Sequence, residues 1–326
     1  MSKSVIRVSL LLAVVTLILA LAPLWAGRSD LRLIGEIMAY LALAVLWNLL
    51  AGYAGLMSVG QQAFVGLGGY MLMISTVMLG LPPLAALPLA FVLAGLVAAG
   101  FARLLFRLEG AYFAIGTWVA AESVALVFAG IPALGGGAGM SLPTDAVRSI
   151  AASREMREFV IYWLMLGLGI GTLVGAWTLI RSKPGLALMA LRDNPVAAVS
   201  VGVNIQRIRF WTYVLVAAIT GVIGAIIFLQ KLRVSPQAAF SLQDWTVAVI
   251  FIVVIGGIGR IEGAIVGTAV YFLLREILGD YGVTYLIVLG VVAILVVSFS
   301  SGGIWGLIER RFGWSLMPTA RRMTDR

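Results

Sequence analysis

Gly52-Tyr-Ala-Gly55-Leu-Met-Ser58-Val-Gly60-Gln61-Gln62-Ala-Phe64-Val-Gly66-Leu-Gly68-Gly69-Tyr70 is an apolar stretch that cannot be one plain helix. Glycine costs about 1 kcal/mol against alanine inside a helix, and here it recurs alongside two adjacent glutamines and a serine. Long apolar runs flank the stretch on both sides. Irregular backbone at membrane depth is tolerated only where it is buried in protein or lines a wet cavity. The stretch therefore predicts a membrane bundle in which at least one spanning element is broken or re-entrant. Ser58, Gln62, Gly66 and Gly69 recur at helical spacing and predict a small, polar stripe. The stripe either lines a pathway or packs with its amides bonded across helices.

Composition leads to the same class. The chain has 326 residues, of which 62% are hydrophobic and 11% charged, and its mean hydropathy is +1.07. Soluble domains carry about 45–50% apolar and about 25% charged residues. Apolar runs fall at roughly 5–25, 31–50, 57–79, 84–106, 111–130, 159–180, 208–229, 244–258, 262–279 and 283–300. Each approaches the about 20 residues that cross a bilayer. The expected fold is an all-α polytopic membrane protein of about ten transmembrane helices, with 1–326 a single domain. The eighth and ninth runs are separated only by Gly259, Arg260 and Glu262, so one long kinked element is also compatible. The almost wholly apolar part of the first run, 8–26, follows Lys3 and Arg7 and exceeds a signal-peptide core. It is read as a retained helix, although Ala20 and Ala22 near Pro23 offer a cleavage site.

The absence of cysteine and histidine excludes disulfides, thiolate and imidazole metal sites, and Ser-His or Cys-His catalytic pairs. The net charge of +9 invites a nucleic-acid reading, but the placement of the cations argues for topology instead. With the N-terminus inside, 15 of the 23 lysines and arginines fall on inside segments, among them Arg103, Arg107, Arg181, Lys183, Arg192, Arg207, Arg209, Arg321, Arg322 and Arg326. The other 8, including Arg28, Arg154 and Arg233, fall outside. The positive-inside rule then places both termini in the cytoplasm.

Small residues four apart predict close helix packing: Gly167/Gly171/Gly175, Ala217/Gly221, Thr220/Gly224 and Gly263/Gly267. A weak internal similarity links Ala63–Tyr70 to Ala264–Tyr271, each after a Gly-x-x-Gly, but in a chain this rich in Ala, Gly and Val chance explains it better than a repeat does. Glu122 is the only carboxylate near the middle of a span, where a charge costs at least about 2.5–3.5 kcal/mol. It shares a helix face with Tyr112, Gly116, Val119 and Ser123. Such a glutamate suits a proton or sodium relay, or a structural role. Candidate pathway residues are Ser58, Gln61, Gln62, Gly66, Tyr112, Thr117 and Glu122.

Segment 181–209 is the longest polar element on the inside face. Pro195 can open a helix there, capped by Asp193 or Asn194, and Val196 to Val201 supplies a short apolar helix ended near Gly202. A short apolar helix outside the membrane needs a burial partner, either its own bundle or a docked cytoplasmic protein.

This segment, Ala-Leu-Arg192-Asp193-Asn194-Pro195-x-Ala197-Ala198-x-x-x-Gly202-Val-Asn, resembles the permeases of branched-chain amino acid (Liv-type) ATP-binding-cassette transporters. Gly52–Tyr70, Gly110-Ala-Tyr112-Phe113-Ala114-Ile115-Gly-Thr117, and Ser235-Pro236 through Gly256-Gly257-x-Gly259 are similar to three further segments of that family. The resemblance implies a type II importer-like bundle and a transport subunit that is not itself an enzyme. It implies a second permease subunit, identical or different, two cytoplasmic ATPases that bind ATP and Mg, and a periplasmic substrate-binding protein, at an inner membrane. No cofactor is expected in this chain, and it carries no Gly-x-x-x-x-Gly-Lys-[Ser/Thr] phosphate loop. The 181–209 loop, with Arg192, Asp193, Asn194, Pro195, Ala197, Ala198 and Gly202, corresponds to the coupling element, and 131–158 to a periplasmic loop. Two departures stand out. Leu134-Gly-Gly-Gly-Ala-Gly139 lacks the family's Thr and Asp, and Ser300-Ser301-Gly302-Gly303 replaces its Pro-x-Gly. Branched-chain or related amino acids are the expected cargo, with urea, amides or small carboxylic acids as the alternative. From another class, an ion-coupled secondary transporter would rely on Glu122.

Overall fold

The computed structural model describes residues 3–151, 153–200, 202–281, 283–300 and 302–312. Val201, Ser301, Arg321, Arg322 and Arg326 lie outside them. The described chain is helical almost throughout. In order come α1 (Lys3–Ala20), α2 (Arg28–Asn48), α3 (Gln61–Met73), α4 (Ala86–Leu105), α5 (Gly110–Ala129), α6 (Thr144–Ile150), α7 (Arg154–Arg181), α8 (Lys183–Asp193), α9 (Pro195–Ser200), α10 (Ile205–Lys231), α11 (Pro236–Ala239), α12 (Ala248–Gly256), α13 (Ile261–Leu278), α14 (Val283–Phe299) and α15 (Gly303–Phe312). π-Helical turns extend α2 over Leu49–Tyr53 and α3 over Ile74–Met78, and another at Gln243–Val247 leads into α12.

Every apolar run of the sequence becomes a helix. Among the described residues, six helical stretches are long and apolar enough to cross a membrane: Arg28–Tyr53, Pro83–Leu105, Gly110–Ala129, Arg154–Arg181, Ile205–Lys231 and Pro236–Gly256. The remaining runs are shorter or interrupted. The third loses its first turns and begins only at Gln61. The eighth and ninth are not one kinked element. Gly257 and Gly259 take positive φ, and the chain folds α13 back on α12. A β-carbon on Gly256 would strike the Gly263 carbonyl, and one on Gly267 would strike that of Ile252. The hairpin therefore needs glycine at its closest approaches.

The segments assigned to the same side of the membrane meet one another. At one end, Arg260 between α12 and α13 pairs with Glu309 of α15 at 2.9 Å, and Arg209 Nε donates to the Ala54 carbonyl at 3.0 Å. At the other end, Arg28 pairs with Glu155, and Arg32 with Glu158 at 2.5 Å, joining the starts of α2 and α7. Also at this end, β1 (Met140–Ser141) pairs antiparallel with β2 (Arg233–Val234), tying the 131–158 segment to the exit of α10. These are called below the Arg192 end and the Arg233 end.

Helices α2 and α10 form the centre, each with 78% of its apolar window buried, while only 17% of that of α5 is buried. Aromatic rings lock the rest in place. Tyr70 of α3 stacks on Phe240 at 5.8 Å and touches Phe128 of α5 at 4.7 Å, and Tyr40 of α2 stacks on Tyr271 of α13 at 5.6 Å. Such pairs add about 0.5–1.5 kcal/mol beyond area burial. The expected glycine packing holds on α10, where Gly221 lies against Ala90 and Ala94 and Gly224 against Val65. It does not hold on α7. β-Carbons at Gly167, Gly171 and Gly175 would meet nothing within 4 Å. The spacing on α7 makes a flat surface that no described residue of this chain fills.

Candidate functional site: the broken second and third helices, the outer face of α5 and the α8–α9 hook

Helix α2 ends in a π turn because Gly52 sits directly against Gly259, where no side chain fits. Asn48, 1% exposed, fixes this contact. Its Oδ1 accepts from the Gly259 amide at 2.8 Å, and its Nδ2 donates to the Arg260 carbonyl at 2.8 Å. Two orphan backbone groups of the α12–α13 turn are thereby satisfied from α2. In the sequence, Asn48 stands out as the only amide of the apolar run 31–50, a signal for a buried polar contact.

The chain then runs irregularly from Ala54 to Gly60, with Gly55 at φ 68°. The break is pinned on three sides. Trp47 Nε1 donates to the Ser58 carbonyl at 2.8 Å. The Val59 amide donates to Thr117 Oγ1 at 2.9 Å, and Thr117 in turn donates to the Ala114 carbonyl at 2.8 Å. Gly60 abuts the Thr117 carbonyl too closely for a β-carbon. The break is thus mounted directly on α5.

Beyond the break, Gln61 Nε2 donates to the Leu43 carbonyl at 3.2 Å. Thr246 donates to Gln62 Oε1 at 2.5 Å and accepts from the Gln62 amide at 3.2 Å. Gln61 Oε1 and Gln62 Nε2 find no partner among the described residues. A buried polar atom left unpaired costs about 1–3 kcal/mol, so these amides are only half satisfied.

The predicted pathway residues therefore separate into two sets. Ser58, Gln61, Gln62 and Thr117 are at most 4% exposed. Gly66 is stacked against the Phe240 ring and Gly69 against Phe228. The expected stripe does not run as one, because Ser58 lies in the break before α3 starts, and the glycines meet aromatic rings. These residues hold helices together. Tyr112 and Glu122 lie elsewhere. Tyr112 is 75% exposed on α5, with Val119 and Ser123 exposed on the same helix. Gly116 is tucked against Leu105 and Leu108. Glu122 is half-buried and accepts from Trp118 Nε1 at 3.3 Å. The two sets do not converge on a single pore inside this chain.

The 181–209 segment is a pair of helices rather than a loop. Helix α8 buries Leu188 and Leu191 and packs against the π turn of α2. Asn194 caps α9, its Oδ1 accepting from the Ala197 amide at 3.0 Å, and Gly202 ends it at φ 85°, both as the sequence implied. Pro195 occupies the first position of α9, and Arg192 pairs with Asp193 at 2.9 Å. One residue of the expected coupling set faces inward. Ala198 is 2% exposed, turned into its own chain, whereas Val196 at 78%, Ala197, and Val199 at 56% face outward. Two arginines, Arg192 of the hook and Arg209 at the start of α10, reach the end of the α2 π turn and the start of the break. Arg192 lies over the Tyr53 ring at 5.7 Å, and Arg209 holds the Ala54 carbonyl.

Comparison with known proteins gives this arrangement a family. Residues 31–297 match the family model described as branched-chain amino acid transport system, permease component. The chain is similar to the high-affinity branched-chain amino acid transport system permease protein LivM of Salmonella typhimurium, 26% identical over 92% of this chain and 76% of the relative. The protein of that name from Escherichia coli K12 is 27% identical over 90% of this chain and 74% of its own length. A probable LivM permease of Methanocaldococcus jannaschii is 27% identical over 60% of this chain and 56% of that protein. No solved structure matches. A multi-pass helical membrane chain whose broken helices, late glycine turn and polar hook fall within one matched span belongs to the family of branched-chain amino acid transport system permease components.

Proposed function

We propose that this chain is one permease subunit of an ATP-driven importer for branched-chain or closely related amino acids in a bacterial inner membrane, with both termini cytoplasmic. Its partners are a second permease subunit, two cytoplasmic ATPases that bind ATP and Mg, and a periplasmic substrate-binding protein. The observation that carries this reading is the α8–α9 hook. It exposes Val196 and Val199 at one end of the bundle and lays Arg192 over Tyr53 at the end of the α2 π turn, beside the Ala54 carbonyl that Arg209 of α10 holds.

Mechanically, an ATPase that grips α9 moves a capped, rigid helix. That motion reaches Tyr53 and Ala54, and the 54–60 break passes it to α5 through the Val59–Thr117 hydrogen bond. Helix α5 carries the exposed face with Tyr112, Ser123 and Glu122, where a second permease subunit would complete a pathway between the two chains. The half-satisfied amides of Gln61 and Gln62 leave α3 with alternative hydrogen bonds to make as it shifts. The ion-coupled alternative gains nothing from the site, because Glu122 has Trp118 beside it and no cation partner on its own helix.

Orientation is tested by labelling single cysteines in the naturally cysteine-free chain. Both Ser149 and Ser200 are exposed. Ser149→Cys should react with an impermeant reagent from outside the cell and Ser200→Cys should not. The reverse pattern would end this reading.

A further inference from the structure

The geometry points to a binding site for the phosphate of an anionic phospholipid between the end of α4 and the start of α10, at the Arg192 end. A cavity of ≈ 610 Å³ opens there, lined by Arg103, Arg107 and Arg207, with Phe106 and Phe210 as apolar walls and Asn204 beside them. The three guanidiniums are exposed, and none makes a side-chain hydrogen bond or ion pair among the described residues. No carboxylate lines the cavity. Three unpaired arginines, on α4, in the turn after it and on α10, face one space and repel one another, and a phosphate between them removes that repulsion while offering bidentate acceptors.

The surface leading to the cavity identifies the anion as a lipid rather than a soluble ion. Arg103 follows Val92, Leu96 and Gly100 on one face of α4, at spacings of four, four and three residues. Val92 is 55% and Leu96 66% exposed, and a β-carbon at Gly100 would meet nothing within 4 Å. An acyl chain can lie along this strip while its phosphate reaches the arginines. Basic pockets between helices at the membrane surface are a known chemistry for anionic headgroups. On the orientation proposed above, the site is in the inner leaflet. The lipid test below reads binding alone and does not depend on that orientation.

The test is native mass spectrometry of the purified full chain titrated with phosphatidylglycerol or phosphatidylcholine, with millimolar inorganic phosphate as competitor. Wild-type protein should prefer phosphatidylglycerol. The R103Q/R107Q/R207Q variant should lose that preference by roughly fivefold for each arginine, and phosphate should not displace the lipid. Gly100→Leu, which the open space tolerates, should weaken retention of both lipids and leave the headgroup preference in place. An unchanged preference in the triple variant overturns the proposal. Displacement by phosphate overturns it in favour of a soluble-anion site. Loss of ATPase association in the triple variant with no change in lipid binding overturns it in favour of a protein contact.

Discussion

Two glycine-rich helices of this molecule look alike in sequence and behave in opposite ways. On α3, Gly66, Gly68 and Gly69 are each pressed against a neighbour: Phe240, the Gly221 carbonyl of α10, and Phe228. On α7, Gly167, Gly171 and Gly175 show a more regular four-residue spacing and meet nothing among the described residues. Small-residue spacing states that a backbone can be approached closely; it does not state that anything approaches. What separates the two is the opposite surface. Helix α10 answers α3 with its own Gly221 and Gly224, so that two backbones meet, whereas Gly169, on the other side of α7, takes the contact with Met38 of α2.

The largest effect should come from Gly68→Leu. Its side chain has to displace the backbone of α10 rather than a flexible neighbour, at a cost of about 3 kcal/mol or more. Purified protein should be aggregated or lack a cooperative unfolding transition; wild-type stability would mean that α3 and α10 are not packed as described. Asn48→Leu should come next. It orphans the Gly259 amide and the Arg260 carbonyl, at about 1–3 kcal/mol for each buried group left unpaired. The chain should still insert, with a lowered unfolding midpoint and impaired uptake. Thr117→Val removes the acceptor for the Val59 amide and the hydroxyl that donates to the Ala114 carbonyl, about 1 kcal/mol for each bond. Thr117→Ser keeps the hydroxyl and should stay close to wild type; a defect in Thr117→Ser as large as in Thr117→Val would show that the hydrogen bond is not what Thr117 supplies. Gly171→Leu should be the mildest, within about 0.5 kcal/mol of wild type for the isolated chain. If it disrupts assembly of the complete transporter while the subunit alone stays stable, a partner helix occupies the α7 groove.

The same contrast explains what was readable in advance. Apolar runs announce spans because length and composition alone decide burial in lipid, and the Asn194 and Gly202 boundaries of α9 follow from local capping chemistry. The break before Gln61 was legible because glycine and amides are costly in a helix. Long-range partnerships were not. Nothing near Gln62 names Thr246, nothing near Gly52 names Gly259, and the inward turn of Ala198 depends on how α8 folds back on the bundle. Glu122 was singled out for its charge, yet what it does depends on which surface α5 presents, and a single sequence carries no record of that.

The central claim is that α9 carries force to the break and on to α5, and Val199 tests it most directly. Val199 is 56% exposed and contributes little to its own fold, so Val199→Glu should leave insertion and permease pairing intact. In a reconstituted complex with both ATPases and the binding protein, ATP-driven amino acid uptake should fall at least tenfold, since a carboxylate buried unpaired at the contact is costly. Basal ATP hydrolysis by the ATPases should persist. Wild-type uptake by this variant, in a complex shown to be correctly assembled, would contradict the account.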